Sequence, residues 1–265
     1  MDIQKVISQY PQDYCRTLEL AYGEGMMSEG GFKEMDLFFS GIDLSNKKVL
    51  EIGFGLGGLA SYIAKKHPTM TYIGVEINPQ LVENAKEHHH HDNTDFICVD
   101  NSNRLPFGAE QFDIIFSKGV LVHLQDKSPL FKECFRVLKN QGKLLINDWL
   151  SPDGISFGQF VNDMCKLEGL TLYPVSIPQY ETVMMQAGFQ VMHVEDENKK
   201  YAQYNEDVVR HLQQSKIQEA YLSEFGEQAY KEALEAYGWV AKAFAQKELL
   251  TMKFLAQKSI QQLLQ

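Results

Sequence analysis

Val49-Leu50-Glu51-Ile52-Gly53-Phe54-Gly55-Leu56-Gly57-Gly58 is the stretch on which the fold turns. A short apolar run carrying one carboxylate passes directly into a glycine-rich loop, which opens a helical stretch at about 57–66. Glycines at such a junction allow a tight bend and a close backbone approach to a ligand lying across the strand ends. Gly53, Gly55 and Gly58 also satisfy GxGxxG, a pattern that alone would equally suit a dinucleotide.

Downstream the same rhythm repeats. Apolar runs at Tyr72 to Val75, Phe96 to Val99, Phe112 to Phe116 and Lys143 to Ile146 alternate with helical stretches near 79–88 and 127–138, and Asn140-Gln141-Gly142 reads as a turn before the fifth strand. Strands alternating with helices predict a doubly wound, mostly parallel Rossmann-like α/β sheet with right-handed crossovers. After Asp148 the rhythm stops until Gln190 to Val194; a helical region follows at about 205–247, and Leu250 to Ala256 reads as the last strand. The helical insertion thus precedes the last strand. Upstream, Val6, Ile7 and Tyr10 share a helical face, Pro11 breaks it, and Tyr14, Thr17, Leu18 and Ala21 resume it. Gly23, Gly25, Gly30 and Gly31 form a flexible loop before a helix at about 32–40. The expected division is a helical lid at 1–40, a cofactor-binding core at 41–150, and the rest of the sheet with a helical substrate cap at 151–265.

Composition narrows the function. With 265 residues, 44% hydrophobic, 23% charged and a net charge of −10, the chain reads as an ordinary globular protein and lacks a nucleic-acid binder's basic footprint. No stretch is apolar over the roughly 20 residues of a membrane span, and the N-terminus has no apolar signal region. Cys15, Cys98, Cys134 and Cys165 are widely spaced, with no CxxC pair. A cytoplasmic protein acting on a small molecule, with no nucleic-acid partner, no membrane span and no metal, is the expectation. The run His88 to His91 reads as a solvated helix terminus, since four consecutive histidines cannot face one ion from a helix.

Eighteen residues beyond Gly58, Glu76 ends the second strand, with Ile77 after it, where a carboxylate accepts hydrogen bonds from both hydroxyls of a ribose. Glu51, ahead of the first glycine, suits an ammonium and not a pyrophosphate. Asp100-Asn101 closes the third strand where an adenine edge would lie. Together with Gly57 and the Val137 to Leu144 segment, these features favour S-adenosylmethionine over NAD. They resemble the ordered motifs of the class I S-adenosylmethionine-dependent methyltransferases over roughly residues 47–148.

A closer resemblance lies outside that core. Gln9-Tyr10, the loop Tyr22-Gly23-Glu24-Gly25-Met26-Met27-Ser28-Glu29-Gly30-Gly31, the segment Phe116-Ser117-Lys118-Gly119-Val120-Leu121-Val122-His123-Leu124, and Gly238-Trp239 with Lys242 are similar to the phosphoethanolamine N-methyltransferases. The resemblance implies that Tyr10 and His123 form the family's tyrosine–histidine dyad and that Met27, Ser28, Ser117 and Lys118 border the cofactor. It further implies that Gln9, Gly119, Trp149 and Lys242 face the substrate, Lys242 matching a phosphate-binding lysine. The chain departs from the family at Gly119, where the family has an aspartate, at Trp149, where it has a tyrosine, and over 160–175, which lacks the family's arginine.

An amine must lose its proton before it can attack a methyl group, and a histidine with an ordinary pKa near 6.5 is suited to take it. His123 is therefore the expected base, with Tyr10 closing the site over it. An aromatic face at Trp149 would hold a methylated ammonium, and Asp148 ends the same strand. C- or O-methyl transfer to a small metabolite, and cofactor binding without catalysis, are the competing readings; neither the acceptor nor the oligomeric state is legible.

Overall fold

The computed structural model describes residues 3–100 and 104–259. Its elements in chain order are α1 (Ile3–Ser8), α2 (Gln12–Tyr22), α3 (Gly31–Phe38), β1 (Lys48–Ile52), α4 (Gly58–Lys66), β2 (Thr71–Glu76), α5 (Pro79–His88) and β3 (Thr94–Cys98). Then come β4 (Phe112–Lys118), a 3-10 turn (Leu121–His123), α6 (Ser128–Val137), β5 (Leu138–Leu150), α7 (Gln159–Glu168), α8 (Ile177–Gln186) and β6 (Phe189–Asp196). The last are α9 (Asn198–Leu212), α10 (Ser215–Ala245) and β7 (Leu250–Lys258).

Successive residues of a strand point to opposite faces, and β1 shows what that does here. Val49 packs with Met35, Ile63 and Val82 from α3, α4 and α5, whereas Leu50 and Ile52 pack with Phe131, Val137 and Tyr180 from α6 and α8. Helices therefore cover both faces of one sheet, ordered β3-β2-β1-β4-β5-β7-β6. The pairs of β1 with β2 and β4, of β2 with β3 and of β4 with β5 are parallel; β7 inserts antiparallel between β5 and β6. The chain reverses direction across the sheet between β1 and β4, the switch point at which open α/β sheets gather ligands. Gly53 and Gly119 follow those two strands.

Two readings of the sequence are corrected. The turn at 140–142 is an irregularity within β5, which already pairs at Leu138 with Phe112. Gln141 takes a left-handed φ of 62°, and Lys258 and Gln257 of β7 donate to the carbonyls of Leu138 and Gln141, so the excursion stays within the sheet. The helical region at 205–247 begins earlier, at Asn198, and is interrupted at 213–214 and at Gly226, whose φ of 83° is not helical.

Between β5 and β6 the chain forms α7 and α8, of which α7 packs with α10 over Trp149. A separate apolar cluster, including Leu20, Val208, Leu212 and Tyr237, docks α2 on α9 and α10. Among the described residues no helix is long and apolar enough to cross a membrane, and the four thiols are free. The histidine run ends α5 at His88; His88 bonds the Asn84 carbonyl, while His91 bonds the Ser61 hydroxyl.

Candidate active site

The loop from Gly53 to Gly57 is shaped by what lies against it. Gly55 has a φ of 60°, and a Cβ there would stand 2.8 Å from Met27 Sδ. At Gly58 a Cβ would stand 2.6 Å from the Gly25 carbonyl oxygen, which instead accepts a hydrogen bond from Gly58 N at 3.1 Å. The glycines thus let the segment carrying Gly25 and Met27 lie directly on the loop. Between them opens a cleft of roughly 1140 Å³, its mouth included, lined also by α1 through Val6 and Ile7.

Two carboxyl groups border this cleft. Glu76 accepts from Ile77 N at 2.8 Å and Asn78 N at 3.1 Å on Oε1, and from Gly55 N at 3.3 Å on Oε2. Burial raises its pKa while these backbone bonds pull it down, and the acceptor sites left on Oε2 remain for a ligand. Glu51 is buried and accepts from the Tyr72 hydroxyl. Burial pushes it up to about 8, opposed by the Tyr72 bond and reinforced by Glu76.

The turn carrying His123 is held from below. Val122 N donates to Asp148 Oδ1 at 3.2 Å, and the Tyr180 hydroxyl donates to Asp148 Oδ2 at 2.9 Å, so the end of β5 fixes the backbone after β4. His123 Nε2 lies 2.9 Å from the Tyr10 hydroxyl, ring edge to face. Burial lowers the imidazole to about 4, with the Thr171 main chain opposing and Lys127 assisting. Burial thus holds this histidine below the ordinary value near 6.5, uncharged at pH 7.

Behind His123 lies a second chamber of roughly 610 Å³, its mouth included. It shares the wall of Tyr10, Met27, Ser28, Gly119 and His123 with the first. Tyr14, Tyr22, Tyr237 and Trp149 supply rings, and Glu29 and Glu168 supply carboxyl groups. The Tyr14 hydroxyl donates to Glu168 Oε2 at 2.9 Å. Burial pushes Glu168 up to about 7, opposed by the Tyr14 bond and reinforced by Glu29.

Of the residues singled out from sequence, Glu51, Gly53, Glu76, Ile77, Met27, Ser28, Lys118, Gly119, Tyr10 and His123 line the first chamber, and Trp149 lines the second. Others stand elsewhere. Ser117 is buried with its hydroxyl donating to the Ile52 carbonyl, and Gly57 backs onto Ala85 of α5. Gln9 bonds Thr171 and faces an outer groove. Lys242 is exposed, its Nζ 5.6 Å above the Phe160 ring. Val240 and Tyr237 of the same helix face the chamber, and at about 100° per residue Lys242 turns away from them. Asp100 is exposed beside the cleft residue Val99, and Asn101 lies outside the described residues. Sequence reasoning missed Asn78, Leu81 and Leu105 in the cleft, and Tyr14, Tyr22, Glu29, Glu168 and Tyr237 in the second chamber.

Residues 50–146 match the methyltransferase domain model. The chain is 29% identical over 237 residues to phosphoethanolamine N-methyltransferase 1 of Triticum aestivum, covering 88% of this chain and 46% of that protein. It is 28% identical over 226 residues to the phosphoethanolamine N-methyltransferase of Plasmodium falciparum, covering 84% of this chain and 83% of that one. It therefore spans about half the length of the wheat relative. In fold it superposes with a TM-score of 0.85 and 21% identity on Haemonchus contortus phosphoethanolamine N-methyltransferase 2, solved in complex with phosphomonomethylethanolamine and S-adenosylhomocysteine. That match covers 98% of this chain and 61% of that one.

Proposed function

We propose that this chain, built on a methyltransferase domain of the class I fold, binds S-adenosylmethionine in the first chamber and methylates the nitrogen of a small amine held in the second. The observation that carries this reading is the shared wall: one partition of Tyr10, Met27, Ser28, Gly119 and His123 separates two chambers.

The residues of the first chamber fit the cofactor. Glu76 Oε2 keeps acceptor capacity for ribose hydroxyls, and buried Glu51 offers a carboxylate to an ammonium. Gly55, with Met27 lying over it, leaves a loop that a side chain would fill. When bound, S-adenosylmethionine supplies a methyl group already activated on a sulfonium. What remains for the protein is alignment and the exclusion of water. Tyr10 and His123, both neutral at pH 7, tie the lid to the end of β4 across the junction of the chambers. Asp148 keeps the His123 turn in place from the strand below.

Calorimetry with S-adenosylhomocysteine tests the cofactor assignment. Glu76→Ala removes charged acceptors, and a weakening on the order of 10–100-fold is expected. Gly55→Val has the same direction, because its side chain collides with Met27. Glu51, held largely protonated at pH 7, should ionise against the incoming ammonium, so proton release should make the apparent enthalpy depend on the buffer. Unchanged affinity in both variants would remove the assignment.

A further inference from the structure

The second chamber carries chemistry that methyl donation does not use. Its described lining holds five large aromatic side chains and two carboxyl groups, with no lysine or arginine. The two acids come from separate elements: Glu29 from the loop before α3, Glu168 from the end of α7. Glu29 is only 4% exposed, and its Oε1 has no hydrogen-bond partner. A buried acceptor left unpaired is costly, and a ligand donor would relieve that cost. Lys118, which lines the first chamber, donates to the Glu29 carbonyl and the Ser28 hydroxyl, and its charge offsets part of that of the Glu29 carboxyl. Glu168 is partly buried, already engaged by Tyr14 through one oxygen, and borders an outer groove as well.

Such a wall discriminates by charge. A phosphate would bring further negative charge beside two acids in a poorly solvated space that no lysine or arginine lines. An ammonium would be held by its charge beside the carboxylates and against the faces of the rings, and one that carries N–H groups would add hydrogen bonds. Room for its head exists at Gly119, where a Cβ would find nothing nearer than Ser28 Cβ at 3.9 Å.

Resting on the amine-methylation reading, we propose that the acceptor is a phosphate-free amine or ammonium, its nitrogen facing Glu29 and Glu168 within the walls of Tyr14, Tyr22, Tyr237 and Trp149. Glu168 takes the proton that an ammonium acceptor must lose. The freed lone pair forms the new N–C bond as the C–S bond breaks, its electron pair going to sulfur. The products are the methylated ammonium, the thioether and protonated Glu168, which returns its proton to solvent through the outer groove.

The test is a titration with choline and with phosphocholine, each with and without saturating S-adenosylhomocysteine, on wild type, Glu29→Gln and Glu168→Gln. Choline should bind saturably and at least about tenfold tighter than phosphocholine, and each variant should weaken choline on the order of 10–100-fold without changing S-adenosylhomocysteine affinity. Phosphocholine binding as tightly as choline, no saturable choline binding, or variants that bind choline like wild type would overturn the proposal. The wild-type comparison stands whatever the variants' stability. Failure to bind S-adenosylhomocysteine would instead count against the cofactor reading, and the choline arms without it would still decide this one.

Discussion

Burial shifts His123 and Glu168 in opposite directions. Burial holds the imidazole at about 4 and the carboxyl at about 7, so of these two it is Glu168 that changes charge near neutral pH. Glu168 is faced by Tyr14 on α2, Cys165 on α7, Tyr221 and Tyr237 on α10, Tyr10 and Glu29, with Lys5 and Glu232 across the outer groove. Glu29 is raised by its own burial and acts in the same sense. A carboxyl raised in this way is mostly protonated at pH 6 and mostly ionised at pH 8. Tetramethylammonium, which does not titrate, should therefore bind about tenfold tighter at pH 8 than at pH 6. Glu168→Gln should flatten that slope and His123→Ala should keep it. A slope that vanishes in His123→Ala would return the titration to the histidine. None of this was legible from residue type, because both shifts arise from burial by segments distant in sequence.

At the scale of elements the lid is unevenly anchored. Helix α2 buries Cys15, Leu18, Leu20 and Ala21, and Tyr10, just before it, bonds His123. Helix α1 has six residues and buries none of them, which leaves it dependent on the cleft that Val6 and Ile7 line. Filling that cleft should order α1 more than α2, so S-adenosylhomocysteine should slow hydrogen exchange at 5–10 more than at 12–22. Equal protection with and without ligand would mean that the lid does not respond to the cleft. The break at Pro11 and the glycine loop were legible because proline and glycine act locally. Helix α7 was not read, although Phe160, Val161, Met164 and Cys165 carry a helical spacing; the loss of strand rhythm after Asp148 hid it. Lys242 was singled out by a motif match, which carries no information on the way a helix turns.

For the whole molecule, the alternation from Val49 to Ile146 and the acids Glu51 and Glu76 were enough to read a doubly wound sheet with a ligand at its switch point. The insertion of β7 between β5 and β6 was not, since strand order depends on long-range pairing. The second chamber escaped the sequence for the same reason: Tyr14, Glu29, Trp149, Glu168 and Tyr237 meet only once α2, the lid loop, β5, α7 and α10 are assembled. The central claim joins the two chambers, and methyl transfer itself tests it most directly. The protein would be incubated with S-adenosylmethionine labelled on its methyl group and a panel of small amines, phosphobases and carboxylates, and the products read by mass spectrometry. The account predicts label on the nitrogen of a phosphate-free amine. Label confined to a phosphobase, to carbon or to oxygen, or no transfer to any amine, would contradict it.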